Sequence, residues 1–497
     1  MSTQDTLDDL KKAMGESSEL RKSITTSNNL VNIDLQAPAK KLYPVLTPLR
    51  NSIPRVQGEG GLSTQWRSIT GLNTAGAVGL VAEGQRGASV TTKSEDVTAS
   101  YKTIGLDDSL TYEARSAAEG FDDMLARMTE GLLSGTMVEE EKILLGGNNS
   151  VALGTTPTPS LAQAASGGGL SDGAVYVVCV ALTHQAWRNS SVGATGVPVS
   201  ATRTNADGTN VTIKGGAAQK SAEATITLNG GGSAQVVKAT VAAVSGAAGY
   251  AWYIGATGQT KLVAITTINS VVITALPDSG NQNAGSLFTS DNSQETLSFD
   301  GLATQCFKSG SGAYTLKLAT GTAGTGTMLT SNGAAGITEI DTALESFWNN
   351  YKLGPDEIWV SGKMFTVMNK LMLANGSAPL IRLTDSATAQ GVTSDLIMSR
   401  RVGSYQNPVT GDIIKINVHP YMPSSWILFR STRIPYQFSN VGAPLEVKTR
   451  RDYYSIQFPQ TSRTYPIGVY SEQVLANYFP PAFGLITNVA TGKADGT

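Results

Sequence analysis

The sequence predicts an α+β fold interrupted by an all-β sandwich, and three observations lead there. Apolar residues recur at helical spacing on both sides of the middle of the chain, at 121–145 and 337–351. From Gly411 onward, runs rich in β-branched and aromatic residues dominate. Between these regions the composition changes. Residues 154–298 carry 12 charged side chains in 145 positions, against 64 in the other 352, and turn residues separate their short apolar runs at the spacing of a sandwich. Helix and strand on both sides of a low-charge β segment read as one body with a guest inserted into it.

Residues 1–60 read as an arm. Leu7, Leu10 and Met14 lie at helical spacing on a charged segment. The stretch "APAKKLYPVLTPLRNSIPRV" is punctuated by proline and therefore extended. Residues 61–112 read as a hairpin, with "LSTQWRSITGLN" and "DVTASYKTIGLDDSLT" as its strands. Val97, Ala99, Tyr101 and Thr103 are expected on one face. A ribbon this long and polar on both faces is marginal alone and needs another surface to lie on. Residues 113–153 hold the best helix, with Phe121, Leu125, Met128 and Leu132 on one stripe. Gly131 and Gly135 interrupt it, at about 1 kcal/mol each relative to Ala.

Residues 154–298 are the β-rich guest, with strands expected at "AVYVVCVAL", "SAEATITL", "AQVVKATVAAV", "GYAWYIG" and "KLVAITTINSVVITAL". Its borders "TTPTPSLAQAASGGG" and "DSGNQNAGSLFTSDNSQ" read as flexible joints. Together with the fall in charge, they predict a segment that folds by itself. Residues 299–410 read as an α/β layer. A helix carries Ile337, Ile340, Leu344, Phe347, Trp348 and Tyr351 on one face, followed by the short strand "DEIWVSG" and the helix "KMFTVMNKLMLAN". Residues 411–497 are closing strands, from "GDIIKINVHPYMP" to "PPAFGLITNV".

No catalytic constellation can be assembled from these residues. There is no G-x-S-x-G elbow and no phosphate-binding G-x-x-x-x-G-K-[ST] loop. His184, His419, Cys179 and Cys306 have no zinc-ligand spacing. The two cysteines read as reduced, part-buried thiols. Asp107-Asp108 and Glu139-Glu140-Glu141 read as solvated faces. Trp66, Trp348 and Trp359 read as core or interface anchors, and the pairs Arg400-Arg401 and Arg450-Arg451 as phosphate contacts or ion pairs between subunits. The net charge is −2, which argues against a dedicated nucleic-acid binder. The N-terminus lacks the apolar core of a signal peptide, and nowhere do 18 apolar residues run together. The expectation is a protein kept in the cytosol or released by a route other than secretion, with no membrane partner.

In order, an extended arm, a long polar hairpin, a long helix ending in "LLGGNNS", an α/β layer and closing strands ending in "PPAFGLITNV" resemble a bacteriophage major capsid protein of the Hong Kong 97-type fold. "VAEGQRGASVTTKSEDVTASYKTIG" resembles the second half of that family's E-loop, and "TGDIIKINVHPYMPSSWILF" its late strands. The resemblance makes the hairpin an E-loop, the long helix the spine of a P-domain and the α/β layer an A-domain. The guest looks like an immunoglobulin or fibronectin type III-like domain, with its topology left open. The resemblance implies a non-enzymatic subunit without cofactors. It would assemble as hexamers and pentamers into an icosahedral shell around double-stranded DNA, formed in the host cytoplasm and ending as the virion capsid. An encapsulin-like compartment is the alternative.

Trp66, Arg67, Glu83, Arg86, Lys93, Tyr101 and Lys102 are the candidates for contact between subunits. Lys11, Lys12, Arg21 and Lys22 are the candidates for nonspecific contact with DNA. Further expected partners are a portal protein, a separate scaffold, and a decoration protein or host-surface glycan on an outward-facing guest. The scaffold is expected to be separate because the hairpin begins near residue 60 and leaves little room for a long propeptide.

Overall fold

The computed structural model describes residues 44–58, 60–73, 80–87, 89–119, 123–204, 209–334, 336–374, 403–437, 439–460 and 462–492. The chain is α+β, as its periodicities predict. It opens with a short helix, α1 (Pro48–Ser52), whose proline sits in the first turn where no N–H is needed, and a short strand, β1 (Arg55–Gln57). Strands β2 (Ser63–Asn73) and β3 (Thr91–Ser100) pair antiparallel from Ser63↔Ser100 to Asn73↔Thr91. Strand β4 (Lys102–Thr111) follows directly. The inside-outside alternation flips at Tyr101. Val97, Ala99 and Tyr101 are part-buried as expected, but Thr103 is exposed and Ile104 is inside. The cause is a change of partner: β3 pairs with β2, whereas β4 joins a different sheet.

Helix α2 (Tyr112–Ala117) is capped by the Thr111 hydroxyl, which accepts from Ala114 N at 3.3 Å. Helix α3 (Met124–Gly146) is capped by Asp123, which accepts from Leu125 N and Ala126 N, both at 3.1 Å; Phe121 of the expected stripe lies outside the described residues. Leu132 of α3 packs on Ile467 and Val469 of the closing strands. A Cβ at Gly135 would come to 3.0 Å of Leu106 Cδ1, whereas one at Gly131 would meet nothing within 4 Å. Close packing therefore explains only the second glycine.

The guest segment forms β5 (Ser160–Ala164), β6 (Gly173–Leu182), α4 (His184–Asn189), β7 (Ala201–Thr204), β8 (Asn210–Ile213), β9 (Ala224–Leu228), β10 (Val236–Thr240), β11 (Gly249–Gly255), β12 (Lys261–Thr266) and β13 (Ser270–Ile273). Two sheets result, in the orders β13-β10-β5 and β12-β11-β6-β9, with β7 and β8 as a separate ribbon. Val177, Cys179 and Trp252 face Val237, Val271 and Ile273 in the core between the sheets. The outer face of β6 and β11 is also covered: Val178, Val180 and Tyr253 lie under Val197, Ala217, Ala284 and Leu287. Burial on both faces is why "VYVVCVAL" reads as a continuous apolar run. The expected flexible flank at "SLAQA" is instead the edge strand β5, paired with β10.

The remaining elements are α5 (Leu302–Phe307), β14 (Tyr314–Lys317), α6 (Thr338–Tyr351), β15 (Glu357–Val360), α7 (Gly362–Ala374), β16 (Ser404–Gln406), β17 (Ile413–Val418), β18 (Ile427–Arg430), β19 (Leu445–Gln457), β20 (Thr464–Asn477) and β21 (Phe483–Thr487). A six-stranded mixed sheet has the order β14-β21-β18-β15-β17-β16, and a four-stranded sheet the order β1-β19-β20-β4. Ile340, Leu344 and Phe347 of α6 and Met364 and Met368 of α7 cover one face of the six-stranded sheet. Trp348 lies off that stripe and is 39% exposed. The other face delivers Trp359, Leu428 and Leu485 to the main core, where they meet Leu49, Ile53, Leu144, Leu145, Val447 and Leu475. That core joins the arm, the end of α3, both sheets and the closing strands.

Candidate functional site

Two features of the body stand out: a ribbon that pairs with no third strand among the described residues, and a clasp that holds the arm. The ribbon is β2–β3. Its strands of 11 and 10 residues reach roughly 35 Å at the rise of an antiparallel strand. Neither strand pairs with a third among the described residues. From Thr91 to Asp96 the side chains on both faces are exposed. Leu62, Ile69 and Leu80 are 80%, 71% and 86% exposed, and Val81 and Val90 are exposed beside them. Among the described residues, the anchors to the body lie at its base. The Trp66 ring meets Tyr478 edge-on at 5.3 Å, Tyr101 N donates to Leu62 O at 3.1 Å, and Ala99 and Tyr101 pack on the main core.

The structure divides the expected contact residues between these two parts. Arg67, Glu83, Arg86 and Lys93 are exposed on the ribbon. Arg67 holds Asp96 across the strands with Nε–Oδ1 at 2.6 Å and Nη2–Oδ2 at 2.9 Å. That pair keeps the Asp96 carboxyl below its usual range. Trp66, Tyr101 and Lys102 sit at the base and contact their own chain, with Lys102 Nζ donating to Thr296 O at 2.6 Å. Lys11, Lys12, Arg21, Lys22 and Arg400-Arg401 lie outside the described residues. Arg450 pairs with Glu472 across β19–β20, and the Arg451 guanidinium lies 3.9 Å over the Tyr454 ring. Both arginines are thus engaged within this chain.

The clasp corrects the reading of the Glu139-Glu140-Glu141 run as a solvated face. Glu140 and Glu141 are 1% and 0% exposed. Glu141 Oε1 accepts from Leu49 N at 2.8 Å and Oε2 from Arg50 N at 2.6 Å, so it caps α1 from outside. His419 Nε2 lies 2.7 Å from the same Oε1. Since His419 Nδ1 accepts from Tyr421 N at 3.1 Å, the Nε2 proton is the one given to Glu141. Glu140 takes Arg50 Nε at 2.9 Å, Arg55 Nη1 and the Tyr453 hydroxyl. Arg55 Nη2 also reaches Asp452 at 2.6 Å and Gln473 at 3.0 Å. Burial, followed by the Glu140 charge, pushes the Tyr453 hydroxyl well above its ordinary value. This is structural ionic packing: every carboxylate oxygen of Glu140 and Glu141 is occupied by a donor from the chain itself. The signal was present in the sequence only as three adjacent glutamates, of which a helix aims consecutive members in different directions.

The other groups with reactive potential are sealed. Cys179 and Cys306 are buried and free, and burial pushes the Cys306 thiol up to about 12. Among the described residues no three His, Cys, Asp or Glu side chains are grouped to hold a metal ion. No described helix is long and apolar enough to cross a membrane.

No protein-family model matches the chain, and no curated protein sequence matches it. Solved structures do. The chain is similar to the capsid of a native GTA particle, at 8% identity and a TM-score of 0.42 over 94% of this chain and 99% of that one. It is similar to the capsid of Myoviridae phage XM1, at 10% identity and 0.39 over 94% and 99%. It is also similar to an encapsulin complex from Synechococcus elongatus PCC 7942, at 9% identity and 0.38 over 94% and 96%.

Proposed function

We propose that the chain is the major capsid protein of a tailed bacteriophage with a Hong Kong 97-type fold. Hexamers and pentamers of it close into an icosahedral shell around double-stranded DNA. The observation that carries the reading is the β2–β3 ribbon. The outer half of β3 has both faces exposed, and the exposed apolar residues Leu80, Val81 and Val90 lie by its turn; a two-stranded hairpin of this kind is marginal in water. A second copy of the chain supplies the missing surface. Repetition of that contact around a closed point group gives a shell instead of a fibre, and many weak contacts add to a strong one. The order of arm, ribbon, long helix, α/β layer and closing strands supports the same reading.

In this reading Arg67, Glu83, Arg86 and Lys93 meet the neighbouring subunit. Lys11, Lys12, Arg21 and Lys22 meet the packaged DNA through charge alone. A portal protein and a separate scaffold take part in assembly in the host cytoplasm, and residues 154–298 offer a site to a decoration protein or host-surface glycan. Electron microscopy of the purified protein under assembly conditions should show closed shells, and shells from infected cells should contain DNA. Shells filled with a protein cargo would instead make the chain an encapsulin-like compartment. Monomers under every condition would overturn both readings.

A further inference from the structure

The fall in charge at residues 154–298 predicts a guest on flexible joints, but the contacts at its borders are of another kind. The two chain crossings that connect it to the body are zipped together. Asn148 Nδ2 donates to Val151 O at 2.7 Å and Ser293 O at 2.9 Å, and Glu295 N donates to Asn148 O at 2.7 Å. Asp300 Oδ1 takes Asn149 N and Ser150 N at 2.8 and 2.9 Å. Gly301 N donates to Gly147 O at 2.8 Å. A side chain at Gly147 would collide with Phe299 O, and one at Gly301 with the backbone of α3. This neck admits no swivel.

Two further joints lie away from the neck. At the first, His184 Nε2 meets Tyr421 O at 2.7 Å, the His184 ring stacks on Trp426 at 6.1 Å, and Thr267 Oγ1 meets Ser424 Oγ at 2.9 Å. Ala248 is a member of the main core, and Trp187 packs on it. At the second, the sandwich reaches the β14–β21 edge of the six-stranded sheet. Asn269 is 0% exposed. Its N donates to Asn488 Oδ1 and its Nδ2 to Thr320 Oγ1, both at 2.9 Å. Asn488, held at φ 62°, donates in turn to Leu318 O at 2.8 Å. Lys317 Nζ reaches Ala243 O at 3.2 Å. These bonds exist only while both sides are folded.

We propose that residues 154–298 are a brace: they tie the end of α3 to the β14–β21 edge, so that the sandwich and the surrounding chain fold and open as one cooperative unit. The segment thereby fixes how the four-stranded and six-stranded sheets sit relative to each other. The proposal concerns the single chain and stands whatever that chain assembles into.

The test is hydrogen exchange on the full chain with two substitutions. Val237→Ala touches only the core between the sandwich sheets, where Val237 is fully buried. Asn269→Ala removes the Nδ2 bond to Thr320 Oγ1 across the second of these joints and the one to Val241 O within the sandwich. With a brace, Val237→Ala speeds exchange in β21 as well as in β10 and β11, by roughly tenfold in all three. Asn269→Ala does the same, and calorimetry shows one transition that moves down as a whole. If Val237→Ala speeds exchange in the sandwich and leaves β21 unchanged, the brace is refuted. A thermogram with two transitions, only one of them moved, refutes it equally. Should Asn269→Ala fail to fold, the Val237→Ala comparison decides alone.

Discussion

Glu141 has three donors aimed at it and no access to water: the backbone N–H groups of Leu49 and Arg50 and the His419 ring. Removing the carboxylate leaves all three buried and unpaired. Each buried donor left without its acceptor costs about 1–3 kcal/mol. Glu141→Ala should therefore lower the unfolding free energy by about 3 kcal/mol or more, read as a lower denaturant midpoint, and open the arm, with new protease cuts between residues 44 and 58; uncut arms would show that the cap is dispensable. His184 makes a second residue-scale prediction. Burial is the main reason its pKa falls from 6.5 to about 3, the hydrogen bond to Tyr421 O opposes the fall, and the charges of Arg188 and Lys142 add to it. The folded pKa is depressed, so below pH 6.5 the unfolded chain takes up a proton that the folded chain refuses. The stability held by the neutral ring is complete above pH 6.5 and is lost as pH falls toward about 3. Between pH 7 and pH 4 this amounts to about 3 kcal/mol. Stability curves of wild type and His184→Gln should converge by that amount on acidification, and parallel curves would remove His184 from the account.

At the scale of elements, the ribbon gives the plainest prediction. Deletion of residues 73–95 removes a segment whose described side chains are exposed, so circular dichroism should change little while shells fail to form; a wild-type shell yield would sink the ribbon's role. The ribbon was legible in the sequence because alternation and turn residues are local signals, and the same holds for β6, β11, β19 and β20. The stripe of α6 was legible to within one residue, Trp348. The clasp was not. Whether Glu140 and Glu141 face water or the core depends on Arg55, Tyr453 and His419, which lie far along the chain and are brought in by packing. The joints of the sandwich were misread for a similar reason. Ser, Thr, Asn and Gly favour loops by composition, yet Asn148, Ser293 and Asn269 spend their polar groups on partners across the joints. A single sequence shows that such groups exist and does not show where they are used.

At the scale of the molecule, the arm and the closing strands are bound into one structure. Strand β1 lies parallel to β19, with Arg55 beside Val447, and Arg55 donates to Gln473, which lies 418 residues further along the chain. Ribosomes add roughly 5–20 residues per second, and domains made early ordinarily fold early. Here the arm waits. Its strand partner and the Asp452 partner of Arg55 are made roughly 20–80 s after it leaves the ribosome, so a nascent chain holds an incompletely docked arm and an incomplete core for most of its synthesis. Dense synthesis of this protein on one messenger therefore keeps many unfinished copies side by side, none of them yet carrying the four-stranded sheet. The four-stranded sheet is complete only once β20 has been made, so the finished chain, and not the nascent one, is the first species whose arm is fully clasped.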